Sequence, residues 1–331
     1  MLMMKIGMIS YWHVHAWDYT RQAQENPGTQ VTAVWDEIPS RGREAAEKLG
    51  VPYFSDLDEM LSGDLVDAVI VNAPTNRHEE VMVKAAKAGK HIFTEKVIAP
   101  TLQEVNRILA AVESAGVKLT VSLPRLNDGY TLAIQELLEQ GALGGITQVR
   151  VRLSHNGAIA QWLPEHFYDA ESCGGGAMID LGCHPMYLTR LFLGSLPTRV
   201  ASTYGFVTGK EVEDNAVALL TGAEGAIGIV EAGFVNPHSP FAIEVHGTKG
   251  TLMYGTPEAK LLFRRNEEEG WRAVDLPGNQ ESAFEQWVGH VRNGTNADVN
   301  IQLAKELTML MEASNRSFRE GKSIALDELE A

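Results

Sequence analysis

The opening third of the chain repeats one alternation: a short β-rich run, then a stretch whose apolar residues recur at helical spacing. Residues 5–10, 31–35, 66–71, 91–94 and 118–123 read as strands. Residues 17–24, 40–49, 81–88 and 102–115 read as helices, the last two stopped by Gly89 and Gly116. The run at 66–71 is apolar throughout rather than alternating, which suits a strand covered on both faces. Parallel neighbours need a crossover, and a helix supplies it, so this rhythm predicts a doubly wound parallel sheet. The expected first domain is a Rossmann-like unit over residues 1–124.

After Arg125 the rhythm changes. A helix is expected over 130–140 and a strand over 148–154. A loop of about twenty residues follows and ends in Gly174-Gly175-Gly176; loops that long in a compact domain are commonly functional. A helix over 178–192 precedes mostly alternating β from 199 to 276, with turn signals at 222–225, 247–250 and 255–257. Successive hairpin-like runs favour an antiparallel sheet. Helices over 282–291 and 301–320 close the chain. The expected fold is α/β: a Rossmann-like first domain, then an α+β domain over 125–331 with a large, mostly antiparallel open sheet.

Charge narrows the partners. Lys and Arg number 28 against 43 Asp and Glu, a net −15, which repels nucleic acid and anionic membrane alike. Cys173 and Cys183 are too few for a disulfide framework and match no zinc spacing, so reduced thiols in a cytoplasmic protein are expected. Met1-Leu2-Met3-Met4-Lys5 runs directly into a strand without a signal-peptide pattern, and no run of 18 apolar residues occurs.

In open α/β sheets ligands bind beyond the C-terminal strand ends. The first such loop is Ser10-Tyr11-Trp12-His13-Val14-His15, with Ser10, Trp12 and His15 where a dinucleotide fold would place glycines. Asp36, ending the second strand, either hydrogen-bonds an adenosine ribose and repels a 2′-phosphate or opens the turn before Pro39; Arg41 softens that repulsion. Asn72-Ala73-Pro74-Thr75-Asn76-Arg77-His78 and Glu95-Lys96-Val97 follow the next two strands. Lys96 is then directed at the cleft, or is an exposed charge. If 178–192 is helical, Asp180 and His184 share a face at i, i+4, where a carboxylate can orient a general-base imidazole or form a simple surface pair. In the long loop, Trp162 and Tyr168 suit a sugar face and His155, Asn156 and His166 its hydroxyls, unless they only cover the core. His13 and His15, with Asp18 nearby, either pack over a ligand or share a metal with His184 or Asp180; we expect no metal.

As an ordered set, these segments resemble the Gfo/Idh/MocA oxidoreductase family. The resemblance rests on residues 69–78, 88–96, 174–194 and Gly247-Thr248-Lys249-Gly250-Thr251, and covers nearly the whole chain. It implies NAD(P)-dependent, reversible oxidation of a hydroxyl on a sugar, cyclitol or related polyol, by a homodimer or homotetramer assembled through the C-terminal sheet. Lys96 matches the family's Glu-Lys-Pro lysine, which would hydrogen-bond the reacting oxygen. His184 would take the hydroxyl proton as hydride leaves the same carbon, and Asp180 would hold His184 or a neighbouring hydroxyl. The implied cofactor residues are Ser10, Trp12, His13, Asp36, Arg41, Ala73, Pro74, Thr75, His78, Glu95 and Lys96, with NAD favoured over NADP by Asp36. Substrate would meet Arg125, Asn127, His155, Trp162, His166, Asp180 and His184. The chain departs from the family in its glycine-free first loop, in Val97 where proline is usual, and in Tyr187 where an Asp commonly follows the His by three. Two alternatives stay open: a redox-neutral sugar lyase or glycosidase using NAD transiently, and a cofactor-free binding or regulatory protein on the same fold.

Overall fold

The computed structural model describes residues 3–222, 224–238, 241–255 and 258–330. Met1 and Leu2, and Ala223, Thr256 and Pro257 of the expected turns, lie outside the described residues. Packing divides the chain into two compact units, Met1–Leu123 with Glu281–Lys305, and Pro124–Gln280 with Glu306–Glu330.

The first unit alternates β1 (Met4–Ile9), α1 (Ala16–Glu25), β2 (Thr29–Trp35), α2 (Pro39–Leu49), β3 (Tyr53–Phe54), α3 (Leu57–Ser62), β4 (Ala68–Val71), α4 (His78–Lys87), β5 (His91–Thr94), α5 (Leu102–Ala115) and β6 (Leu119–Val121). Its six strands pair in parallel in the order β3-β2-β1-β4-β5-β6. That is the strand order of dinucleotide-binding folds, with a topological switch point between β1 and β4. β4 is buried at all four positions, as its unbroken apolar run requires. Thr101 and Glu104 form a reciprocal capping box that starts α5, and Gly116 ends it in the left-handed conformation.

The second unit contains α6 (Gly129–Glu139), β7 (Ile146–Ser154), the short α7 (Ala170–Cys173), a π-turn over Met178–Gly182, and α8 (Cys183–Leu193). β8 (Arg199–Gly205), β9 (Asn215–Thr221), β10 (Ile227–Gly233), β11 (Ala242–Gly247), β12 (Gly250–Tyr254), β13 (Leu261–Arg265) and β14 (Arg272–Val274) follow. Completed by β15 (Ile324–Ala325), the sheet runs β14-β13-β12-β11-β7-β10-β9-β8-β15, all antiparallel except the β7–β10 pair. β9 alternates strictly, burying Ala216, Ala218 and Leu220 and exposing Val217 and Leu219.

The packing departs in one respect from a single break near residue 124. α9 (Ala283–Asn293) belongs to the first unit: Phe284, Trp287 and Val288 join the core around Phe93, both aromatic rings standing 5.7 Å from the Phe93 ring. At the start of α10 (Asp298–Glu320), Asn300 accepts from Val121 N–H and donates to Val121 C=O, both at 2.9 Å, closing the edge strand β6. Sequence proximity does not reveal this return, because buried apolar contact decides it.

Candidate active site

In the first unit the loops after β1, β2, β4 and β5 carry the expected residues. Ser10 sits at φ 70°, the left-handed conformation for which glycine is the usual residue. Its N–H donates to Trp35 C=O at 2.7 Å and its Oγ accepts Trp12 N–H at 3.0 Å, tying the loop to β2 and to itself. Tyr11 N–H donates to Asp36 at 2.8 Å, His13 N–H to Asn72 C=O at 3.1 Å and Ala16 N–H to His13 C=O at 3.0 Å. The backbone donors that a glycine loop would turn toward a diphosphate are therefore largely committed within the protein.

Asp36 is buried and fully partnered. Tyr11 and Ile38 N–H donate to it, and Arg41 forks onto it through Nε at 2.9 Å and Nη2 at 2.8 Å. Arg41, 26% exposed, also pairs with Glu37, whose Oε2 is buried with no hydrogen-bond partner among the described residues. Asp36 and Asn72 are legible in the sequence as strand-end residues; no motif marks Glu37.

Ala73, Pro74 and Thr75 form the turn after β4. His78 is buried beneath it, with Nε2 3.0 Å from Ala73 C=O and Nδ1 3.0 and 3.2 Å from Val97 and Ile98 C=O. Burial pushes its pKa down against those carbonyls. The His78 ring thus bridges the loop after β4 and the loop after β5, its single N–H donating to one of them. There the Lys96–Val97 peptide is cis, although valine stands in the proline position. Lys96 is buried, and its N–H donates to Glu95 Oε2 at 3.0 Å. Glu95 is also buried; His15 Nδ1 lies 2.8 Å and His13 Nδ1 3.7 Å from its Oε1, which Tyr19 also reaches. Burial first, then the Glu95 charge, pushes the Tyr19 hydroxyl well up, so it stays a donor.

In the second unit the glycine run and helix start behave differently from a plain α-helix. Residues 178–182 form a π-turn, so the four-residue spacing of Asp180 and His184 spans a change of helical register and does not by itself stack them. The partner seen on His184 Nδ1 is Tyr187 Oη at 3.2 Å, which also accepts Arg125 N–H at 3.1 Å. Arg125 lies over Phe241, 4.3 Å from the ring centre, and donates to Tyr130 at 3.2 Å. Asn127 uses its carbonyl to accept Gln280 N–H at 2.9 Å. The glycines serve backbone approach: Gly176 and Met178 N–H donate to buried Glu213, both at 2.9 Å. Burial raises the Glu213 pKa above the ordinary carboxyl range, those bonds opposing.

The long loop forms a small stack. His155 lies parallel to Phe234 at 5.0 Å, and Trp162, 55% exposed, leans on His155 at 4.5 Å while donating to Asn156 at 3.4 Å. Burial lowers the His155 pKa and the Asp180 charge opposes it. His166 is half-buried against Phe167, and Tyr168 is buried with Lys210 over its ring.

A parallel sheet in this order, with an acid closing its second strand and Glu-Lys following its β5, defines an NAD(P)-type Rossmann protein of the oxidoreductase class. Residues 4–123 match the family described as "Oxidoreductase family, NAD-binding Rossmann fold", and residues 131–253 match the "GFO/IDH/MocA C-terminal domain". The chain belongs to the Gfo/Idh/MocA family of oxidoreductases. Scyllo-inositol 2-dehydrogenase (NAD(+)) of Bacillus subtilis is 26% identical, over 97% of this chain and 94% of its own. Levoglucosan dehydrogenase, solved with NADH and levoglucosan, superposes with a TM-score of 0.82 at 18% identity, over 98% of this chain and 100% of its own. A 3-ketoreductase from Actinomadura kijaniata, solved with NADP and TDP-benzene, gives 0.81 at 21% identity, over 96% and 98%. No described helix is long and apolar enough to cross a membrane.

Proposed function

We propose that this oxidoreductase interconverts a secondary hydroxyl and a ketone on a neutral sugar, cyclitol or related polyol, with NAD(H) as its preferred cofactor. The observation that carries the reading is Lys96, buried and held after β5, at the strand ends where open α/β sheets take their ligands. In this reading the dinucleotide lies at α1 and at the acidic end of β2, where the loop's own hydrogen bonds leave few backbone N–H groups for its diphosphate. Ser10 supplies the positive φ that glycine normally gives, while Trp12, His13, Ala73, Pro74, Thr75 and Glu95 border the cofactor and His78 holds two of its loops. Bound nicotinamide would accept or return hydride. Lys96 hydrogen-bonds the reacting oxygen. Tyr187 Oη, 3.2 Å from Nδ1, orients the His184 ring, and His184 takes the hydroxyl proton. Asp180, Arg125 and Asn127 contact neighbouring hydroxyls, and Trp162, His155 and His166 set sugar preference.

The fold itself accepts NAD or NADP, so charge decides. Asp36 and Glu37 against Arg41 leave one net negative charge where a 2′-phosphate would add about two more, which favours NAD(H). The exposed apolar residues Val217, Leu219 and Ile227 on one sheet face support a homodimer or homotetramer, and two buried cysteines outside any disulfide suit a cytoplasmic protein. The test is NADH formation at 340 nm with inositols, aldoses and anhydro-sugars. Lys96→Ala and His184→Ala should each lower kcat/KM by on the order of 100-fold or more on the substrate found; near-normal turnover in either would remove that residue's role.

A further inference from the structure

Glu95 closes β5 with a carboxylate only 2% exposed, and two imidazoles converge on it from the loop that leads into α1. We propose that His13, His15 and Glu95 form a binding site for one divalent transition-metal ion of the zinc class. One donor atom from each residue lies within 4.8 Å of the other two, and theirs is the sole such His/carboxylate grouping among the described residues. His15 Nδ1 stands 2.8 Å and His13 Nδ1 3.7 Å from the same Glu95 oxygen. Donors on one ion at about 2.0–2.2 Å stand about 3–3.5 Å apart, so rotation of the side chains must draw the three together from within 4.8 Å to complete the set.

The chemistry of the donors selects the ion. Two imidazole nitrogens and one carboxylate oxygen suit zinc and its borderline neighbours, whereas magnesium and calcium take all-oxygen shells.

Outer support is already in place. Tyr19 donates to Glu95 Oε1 and stands 2.7 Å from Ser122 Oγ, Lys96 N–H holds Oε2 at 3.0 Å, and His13 N–H is anchored on Asn72 C=O. His15 is 42% exposed, giving an entry path. Three protein donors leave a coordination position for an oxygen ligand, as in zinc sites that act on ligands.

The test titrates full-length protein, purified without a histidine tag and stripped with chelator, with cobalt(II) followed by visible absorption. One equivalent should bind with d–d bands that zinc then abolishes. His15→Ala removes a half-exposed ligand at little risk to the fold, and His13→Ala removes a buried one; each should weaken cobalt binding by on the order of 100-fold. An unchanged melting temperature for apo His15→Ala confirms that the loss is one of ligation. Absence of d–d bands, bands equal in both variants and wild type, or thiolate charge-transfer bands locating the ion on Cys173 or Cys183 would each overturn the proposal.

Discussion

Asp36 carries donors from Tyr11, Ile38 and both arms of the Arg41 fork, which fills the acceptor positions of a carboxylate. Its neighbour Glu37 holds Arg41 with one oxygen and keeps Oε2 buried and unbonded. Of the two carboxylates here, Glu37 keeps an oxygen without a partner among the described residues, and with Asp36 and Arg41 it leaves the local balance negative. On the proposed NAD(H) reading, Glu37→Ala should weaken NADH binding and lower the ratio of NADPH to NADH dissociation constants by about tenfold; an unchanged ratio would return the proposed selection to Asp36. Ser10 offers a second test. Ser10→Ala keeps the positive φ and loses the acceptor for Trp12 N–H, while Ser10→Gly loses the same bond and relieves the backbone. The glycine variant should be more stable than the alanine variant by about 1 kcal/mol in urea unfolding. Asp36 was legible in the sequence because strand ends bind ligands. Glu37 was not, because its role depends on Arg41 reaching back along α2.

At the scale of elements, the sequence revealed those that a periodic apolar pattern marks. β5 and α5 stand where the pattern placed them, since an unbroken run and a capped helix leave local evidence of both ends. β3 has two residues, too few to show a period, and only its pairing with β2 makes it a strand. The π-turn before α8 is likewise invisible to an i, i+4 reading, because its register is set by contacts distant in sequence. Glu213, between β8 and β9, receives Gly176 and Met178 N–H and so fixes where that turn begins. Gly176 is packed closely there: a Cβ on it would stand 2.1 Å from Glu213 C=O, a backbone atom that cannot step aside. Gly176→Ala should cost about 2–3 kcal/mol in urea unfolding. It should also lower turnover, because α8 carries His184, the proposed base. Wild-type stability and turnover together would mean that the helix start is not fixed by this contact.

At the scale of the whole molecule, burial sets how stability responds to pH. His78, His91 and His155 all have pKa values below the ordinary 6.5, in each case chiefly through burial. His91 is the clearest: its Nδ1 must keep its lone pair to accept Lys118 N–H at 3.0 Å, and the Lys118 charge adds to burial while Asp67 opposes both. Above pH 6.5 these groups are neutral in folded and unfolded chains alike, and their contribution is fully present. Below 6.5 the unfolded chain takes up protons first, so stability falls until the pH reaches the depressed folded values. Glu213 works in the opposite sense, since its raised pKa adds stability as the pH falls through the folded value. Three histidines against one carboxyl should win between pH 7.5 and 5.5, where the urea midpoint is expected to decline. His91→Gln keeps a side-chain acceptor without a titrating ring, so it should flatten that decline. A midpoint that rises on acidification would mean that Glu213 and the other carboxyls dominate, and a slope untouched by His91→Gln would remove His91 from the balance.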